Sequence, residues 1–239
     1  MFDSCLENLR QSISSRGGSL LDVPNEFAEC SSNKGNGIIK SWLWDVPGFR
    51  RWRITSLDAG QTLQVLNSVA YPEYSNDQPL LGIDLLWFGR SKKLVLVMDF
   101  QPLIQDQDYF DRYFLGLKSL KRLYPEIQNE EKMHFFDPHK YFSPWLLFYK
   151  GNLSSNDHFW EDLFNSFLDS YWDLSENSKY KSSLLKPERV RSLQIEYDKY
   201  SAEKDPAHSL FTTYFGKDWS DRFLKEFLFP GDYTSNRIN

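Results

Sequence analysis

Leu80-Leu81-Gly82-Ile83-Asp84-Leu85-Leu86-Trp87-Phe88, a turn at Gly89-Arg90-Ser91, then Lys93-Leu94-Val95-Leu96-Val97-Met98-Asp99: two apolar runs of strand length with a few turn residues between them. Runs this rich in branched and aromatic side chains, bounded by Gly, read as strands. So short a connection can join only antiparallel neighbours. Upstream, Arg51 to Leu57 alternates basic and apolar residues and stops at Asp58-Ala59-Gly60. Leu63 to Ala70 follows, and a loop runs from Tyr71-Pro72 to Pro79. These segments predict an antiparallel meander over about residues 50–100, with Tyr141 to Tyr149 as a fifth strand.

Beyond residue 100 the apolar period lengthens. Tyr109 to Tyr124 carries apolar residues near helical spacing. In 158–172 the pairs Phe159/Trp160, Leu163/Phe164, Phe167/Leu168 and Tyr171/Trp172 share one helix face, with Ser155 or Asn156 available as cap. Pro187 sits where a helix begins, running on to Tyr200. Ser220 to Phe229 forms a last helix, marked by Trp219, Phe223 and Phe227 and stopped by Pro230; Leu6 to Ile13 is a short first one. Strands followed by helices predict an α+β layered fold, in which the apolar helix faces pack on the sheet. With 239 residues, one domain over 1–239 has ample core.

Composition removes several function classes. The chain is 41% hydrophobic and 26% charged, its mean hydropathy is -0.56, and no apolar run reaches the roughly 18–20 residues of a membrane helix. The start Met1-Phe2-Asp3-Ser4-Cys5 lacks a secretory pattern. Two cysteines, Cys5 and Cys30, cannot supply the four thiolates of a usual iron–sulfur cluster, and they fit a reducing cytoplasm. A net charge of -5 argues against general nucleic-acid binding. Aromatics reach 17%, which suits either an aromatic core or a wide pocket for a flat conjugated ligand.

Motifs exclude more. There is no phosphate-binding Gly-rich loop, no dinucleotide fingerprint and no His-Glu-x-x-His, so no nucleotide, flavin or metal cofactor is expected. The four histidines, His134, His139, His158 and His208, have no metal-site spacing. Carboxylates remain. Asp84 interrupts an apolar run, and is either an outward-facing residue on a half-exposed strand or a buried acid needing a partner or a proton. Asp99 at a strand end reads as a structural acid. Asp205, before Pro206, reads as a helix-terminating or capping residue.

Taken in order, several segments resemble one family. Asn67-Ser68-Val69-Ala70-Tyr71-Pro72, Pro79 to Leu85 and Met98-Asp99-Phe100-Gln101-Pro102 are similar to the central strands of ferredoxin-dependent bilin reductases. Asp205 to Phe211, Phe215 to Phe223 and Phe227-Leu228-Phe229-Pro230 resemble that family's closing helices. Ser41-Trp42-Leu43-Trp44-Asp45-Val46-Pro47-Gly48-Phe49-Arg50-Arg51-Trp52-Arg53 is similar to its dihydrobiliverdin-forming branch.

The resemblance implies a three-layer α/β/α sandwich with the bilin between the central antiparallel sheet and the C-terminal helices. It implies no bound cofactor, with electrons arriving singly from reduced ferredoxin and reduction passing through substrate radicals. The implied reaction is two-electron reduction of biliverdin IXα at C15–C16 in phycoerythrobilin biosynthesis. A-ring reduction, four-electron phycoerythrobilin synthesis and a non-catalytic bilin carrier or lyase are the alternatives. By position, Asp84 matches the sheet-side proton donor and Asp205 the helix-side acid. Asn67 stands where the phycocyanobilin-forming branch has a histidine, which counts against D-ring vinyl reduction. Lys150 falls near a propionate-binding cation, and Trp87, Phe88 and Phe211 are expected to line the bilin pocket. The implied partners are biliverdin, ferredoxin and the next bilin reductase of the pathway. Ferredoxin is acidic, so a basic cluster is needed to dock it; Arg50, Arg51 and Arg53, with Lys217, Arg222 and Lys225, are the candidates.

Overall fold

The computed structural model describes residues 1–33, 35–127, 138–154, 158–180 and 182–232. These form an eight-stranded antiparallel sheet: β1 (Ser19–Leu21), β2 (Glu29–Ser31), β3 (Ile38–Val46), β4 (Phe49–Asp58), β5 (Gln64–Pro72), β6 (Leu80–Phe88), β7 (Lys93–Gln101) and β8 (Leu147–Asn152). The spatial order is β1-β3-β4-β5-β6-β7-β8, and β2 pairs with the same edge of β3 as β1 does. The helices are α1 (Asp3–Ser14), α2 (Asn25–Ala28), α3 (Gln107–Tyr113), α4 (Leu115–Leu123), α5 (Pro138–Tyr141), α6 (Phe159–Ser178), α7 (Pro187–Lys204), α8 (Ala207–Phe215) and α9 (Lys217–Arg222). The last runs directly into a π-helical segment, Phe223–Leu228.

The meander is as read, and β6 begins and ends where its apolar run does. Three expectations change. The strand expected over 141–149 is only Leu147–Asn152. Before it, the Ser143 amide and hydroxyl both donate to the Asp99 carboxylate at 2.6 Å, and Pro144 has no N–H to give a ladder, so the chain turns there. The helix expected over 109–124 is split at Phe114, whose ring is buried against Phe100, Phe110 and Trp145. The mixed, polar N-terminal stretch conceals β1 and β2 and the start of β3, all within residues 19–46. His134 and the cap candidates Ser155 and Asn156 lie outside the described residues.

Successive side chains of a strand point to opposite faces, and here the two faces have different work. Trp52, Leu66, Ile83, Leu85, Leu96 and Phe100 face one side and are buried. Trp52 stacks on Trp172 of α6 at 4.8 Å between ring centroids, and Phe100 meets Phe167 and Tyr171 at 5.2 Å. With α1 and α4 packed on α6, this is the main core. The other face is covered by α7, α8 and the C-terminal segment, which completes the α/β/α sandwich. On that side the layers do not close: a cavity of about 470 Å³ separates them.

Candidate active site

The cavity volume falls in the roughly 300–1,000 Å³ range of small-molecule sites. One row of the sheet forms its floor. Pairing aligns Thr55, Asn67, Asp84, Val97 and Phe148 across five strands, and every one of the five lines the cavity. The opposite wall comes from Tyr197, Tyr200 and Ser201 of α7, from Asp205 and Pro206 after it, and from Leu210 and Phe211 of α8.

Asp84 is therefore central and faces the cavity, not the core. The Asn67 amide, directly opposite on β5, donates to its Oδ1 at 3.4 Å. Burial among apolar neighbours, and secondly the charge of Asp205, push the Asp84 carboxyl up to about 7; the Asn67 hydrogen bond and the Arg53 charge pull the other way. A carboxyl with that pKa is half protonated near neutrality, as a general acid should be.

Asp205 ends α7. Its backbone leaves the helix in an extended conformation (ψ 115°) ahead of Pro206, and its Oδ1 accepts from the Ala207 amide at 2.8 Å. Burial raises its pKa too, against that hydrogen bond and the charges of Arg53 and His208. Two carboxyls thus face one largely apolar cavity from opposite walls, each with its proton affinity raised. Asp99 also rises to about 7 through burial, but its two bonds to Ser143 occupy it structurally.

Of the other residues expected at the site, Phe88, Lys150 and Phe211 line the cavity. Trp87 does not. Asp84, Leu86 and Phe88 share a face of β6, so the strand's period of two sends Trp87 to the opposite side, against the core.

The arginines bring a larger correction. Arg50, Arg51 and Arg53 are only 6%, 2% and 1% exposed and cannot meet a docking protein. A β-bulge between Phe49 and Arg51 turns Arg50 and Arg51 toward the same helical layer. Arg50 donates to Gln194 at 2.5 Å and lies over Tyr71. Arg51 donates to the carbonyls of Phe227 and Leu228, and Arg53 donates to that of Leu228 at 2.9 Å. On the surface, Lys217 pairs with Asp221 and Arg222 with Glu26 and Glu226, while Lys225 is exposed.

The sequence reading also overlooked residues that shape the site. Arg53 lines the cavity and donates to Asn67 Oδ1. The Tyr197 hydroxyl donates to Gln101 Oε1 at 2.6 Å across the cavity wall. Gly82 makes room for that glutamine: a Cβ there would come within 2.7 Å of the Gln101 side chain. The alternation Trp52-Arg53-Ile54 was the available signal for Arg53: a period of two puts it on the face opposite the apolar Trp52 and Ile54.

Among the described residues no group of three or more His, Cys, Asp or Glu side chains could hold a metal ion. No described helix is long and apolar enough to cross a membrane.

Residues 6–230 match the model of the ferredoxin-dependent bilin reductase family. The chain belongs to that family. It is 57% identical over 230 residues to the 15,16-dihydrobiliverdin:ferredoxin oxidoreductase of Prochlorococcus marinus (strain MIT 9303), covering 96% of this chain and 92% of that one. It is 56% identical over 235 residues to the enzyme of the same name from Synechococcus sp. (strain CC9902), covering 98% of this chain and 100% of that one. Among solved structures, phytochromobilin synthase from tomato in complex with biliverdin superposes with a TM-score of 0.78 over 99% of this chain and 86% of that one. At 19% identity that likeness shows a shared fold. The cavity between the sheet and the C-terminal helices has the volume of a small-molecule site and two carboxyls with raised proton affinity facing it.

Proposed function

We propose that this bilin reductase converts biliverdin IXα to 15,16-dihydrobiliverdin, adding two electrons and two protons across the C15–C16 bridge. The observation that carries the reading is the pair of carboxyls, Asp84 on the sheet and Asp205 on the helical wall, facing one cavity. Identity above 55% to enzymes named for this reaction, over nearly the whole chain, supports the choice of product. Each electron delivered by ferredoxin makes the tetrapyrrole more basic, so each transfer needs a proton close by. Asp84, held near neutral pKa, gives the first; Asp205 serves the outer part of the pigment or its access. Asn67 holds Asp84 and hydrogen-bonds the bilin. Phe88 and Phe211 pack on its faces and Lys150 pairs with a propionate.

The single domain 1–239 carries the whole reaction with no resident cofactor, because the pigment itself stores the unpaired electron between transfers. The reaction belongs in the cytoplasm, where Cys5 and Cys30 stay reduced. Its product passes to the next bilin reductase of the pathway.

The test is an anaerobic incubation of the protein with biliverdin and a ferredoxin-reducing system, followed by absorption and chromatography of the extracted pigment. Formation of 15,16-dihydrobiliverdin supports the reading. An A-ring-reduced product or phycoerythrobilin replaces it with another reductase of the family, and bound but unchanged biliverdin replaces it with a carrier.

A further inference from the structure

Asn67 stands between a cation and an acid. Its side chain has one accepting end, Oδ1, and one donating end, Nδ2, and a rotation of the amide exchanges them. Arg53 removes that freedom. A guanidinium has donors and no acceptor, so whatever faces it must accept. The Arg53 Nη1 therefore holds Asn67 Oδ1, and Nδ2 is left for Asp84 Oδ1. Arg53 is itself fixed: its Nε is spent on the Leu228 carbonyl, its Cζ lies 5.1 Å from the centroid of the Phe229 ring, and it is 1% exposed.

The consequence falls on Asp84. An N–H pointing at Oδ1 is accepted best by a carbonyl oxygen, so a protonated Asp84 favours its hydrogen on the other oxygen. With the amide reversed, the Asn67 carbonyl would face Asp84, and the acid's proton would be drawn into a bond with Asn67 and away from a substrate. We propose, resting on the functional reading above, that Arg53 is a positioning residue that sets the direction of the Asn67 amide and so keeps the Asp84 proton on the oxygen free to reach the bilin. The chain Arg53→Asn67→Asp84 runs along the sheet floor and ties the acid's readiness to closure of the C-terminal segment, because the same guanidinium grips Leu228.

Other ionisable groups share the cavity with Asp84. Asp205 faces it from the helical wall, and Tyr197 and Tyr200 of α7 line the same cavity. From the sheet, Lys93 and Asp99 of β7 and Lys150 of β8 are on the lining too. All of them are left in place by the changes below, so shifts produced by those changes report on Arg53 and Asn67.

The experiment is a double-variant cycle on the full chain with Arg53→Met, Asn67→Leu and the two combined. It reads the initial rate of bilin reduction, the Kd for biliverdin, and the pH titration of the bound pigment's absorbance without reductant. Each single change should slow reduction on the order of tenfold to a hundredfold while the Kd of Arg53→Met stays within about threefold, and the combination should be no slower than the worse single change, since both break one relay. The titration midpoint should move upward in Arg53→Met, where a cation that favours the Asp84 carboxylate is gone. Losses that multiply in the combined variant overturn the proposal, since a purely structural arginine costs the same with or without Asn67. If Arg53→Met does not fold, Asn67→Asp decides: it still accepts from Arg53 but offers Asp84 no N–H, so an unchanged rate overturns the relay. A wild-type product other than 15,16-dihydrobiliverdin would overturn the functional reading alone, because the cycle compares rates of reduction whatever the product.

Discussion

Replacing Asp84 by asparagine should make the protein slower and more stable at once. The folded chain holds this carboxyl with a pKa near 7, against 3.8 for the unperturbed group. Between those values the folded state binds more protons than the unfolded one, so stability falls as pH rises through the window. From about pH 5 to pH 8 these two values give a fall of roughly 2.5 kcal/mol in unfolding free energy, and the solvation of a carboxyl that opens onto a cavity brings it to about 1–2 kcal/mol. Asp84→Asn keeps an oxygen that accepts from Asn67 and has nothing to ionise, so its stability should lack this decline. Asp99 and Asp198, also shifted upward by burial, contribute a similar trend to both proteins and drop out of the difference, while Asp205 is coupled to Asp84 by charge, so that the variant also loses the part of the decline their repulsion causes, which deepens the contrast. The assay is urea unfolding of both proteins across that pH range. Turnover by the variant should fall by about 10²–10⁴ with biliverdin still bound, since a general acid has been removed. Equal pH dependence of stability in the two proteins would show that the carboxyl is not held protonated by the fold, and near-normal turnover would remove it from the chemistry.

Asp205→Asn should lower the initial rate less than Asp84→Asn and leave the product unchanged, because Asp205 sits at a helix end and spends one oxygen on the Ala207 amide; pigment chromatography under identical anaerobic conditions compares them. Trp52→Ala should cost about 3–5 kcal/mol, read from the denaturant midpoint, since Trp52 is fully buried against Phe49, Tyr171 and Trp172. The apparent KM for ferredoxin should rise with ionic strength, and Lys93→Glu at the cavity rim should raise it more than Lys217→Glu, whose cation already pairs with Asp221. A salt-independent KM would refute electrostatic docking.

What the residues disclosed, and what they hid, follows from how local each signal is. The limits of β6 were visible because Gly89 and the Pro79 loop bracket an unbroken apolar run. The face of α6 was visible because aromatics recur at helical spacing through one long, uninterrupted element. Trp87 was misplaced although the period of two was available: a large aromatic beside an acid suggested a pocket wall, and alternation puts it on the reverse side. The arginines of β4 misled for another reason. A run of cations looks like solvated surface, and nothing local announces that backbone carbonyls some 175 residues later will accept from them. Ser143 hid the turn before β8 in the same way, since its partner is Asp99 on the neighbouring strand. Asp84, Asn67 and Asp205 could be suspected from the resemblance, but that Asn67 and Asp84 stand side by side depends on the register of β5 against β6.

The grip of Arg51 and Arg53 on Phe227 and Leu228 gives the chain a direction in time. On a translating ribosome the sheet's strands emerge long before those carbonyls do, and until then the guanidinium donors that will bind Phe227 and Leu228 lack those acceptors. Burying them early would strand unpaired charge, so the β4 side of the site has to wait, solvated and open, for the final helical turns. Emergence of the Phe223–Leu228 segment, closure over the pigment site and orientation of its proton donor then become one event. A chain halted after Arg222 should accordingly expose apolar surface to a hydrophobic dye even though its core strands are present.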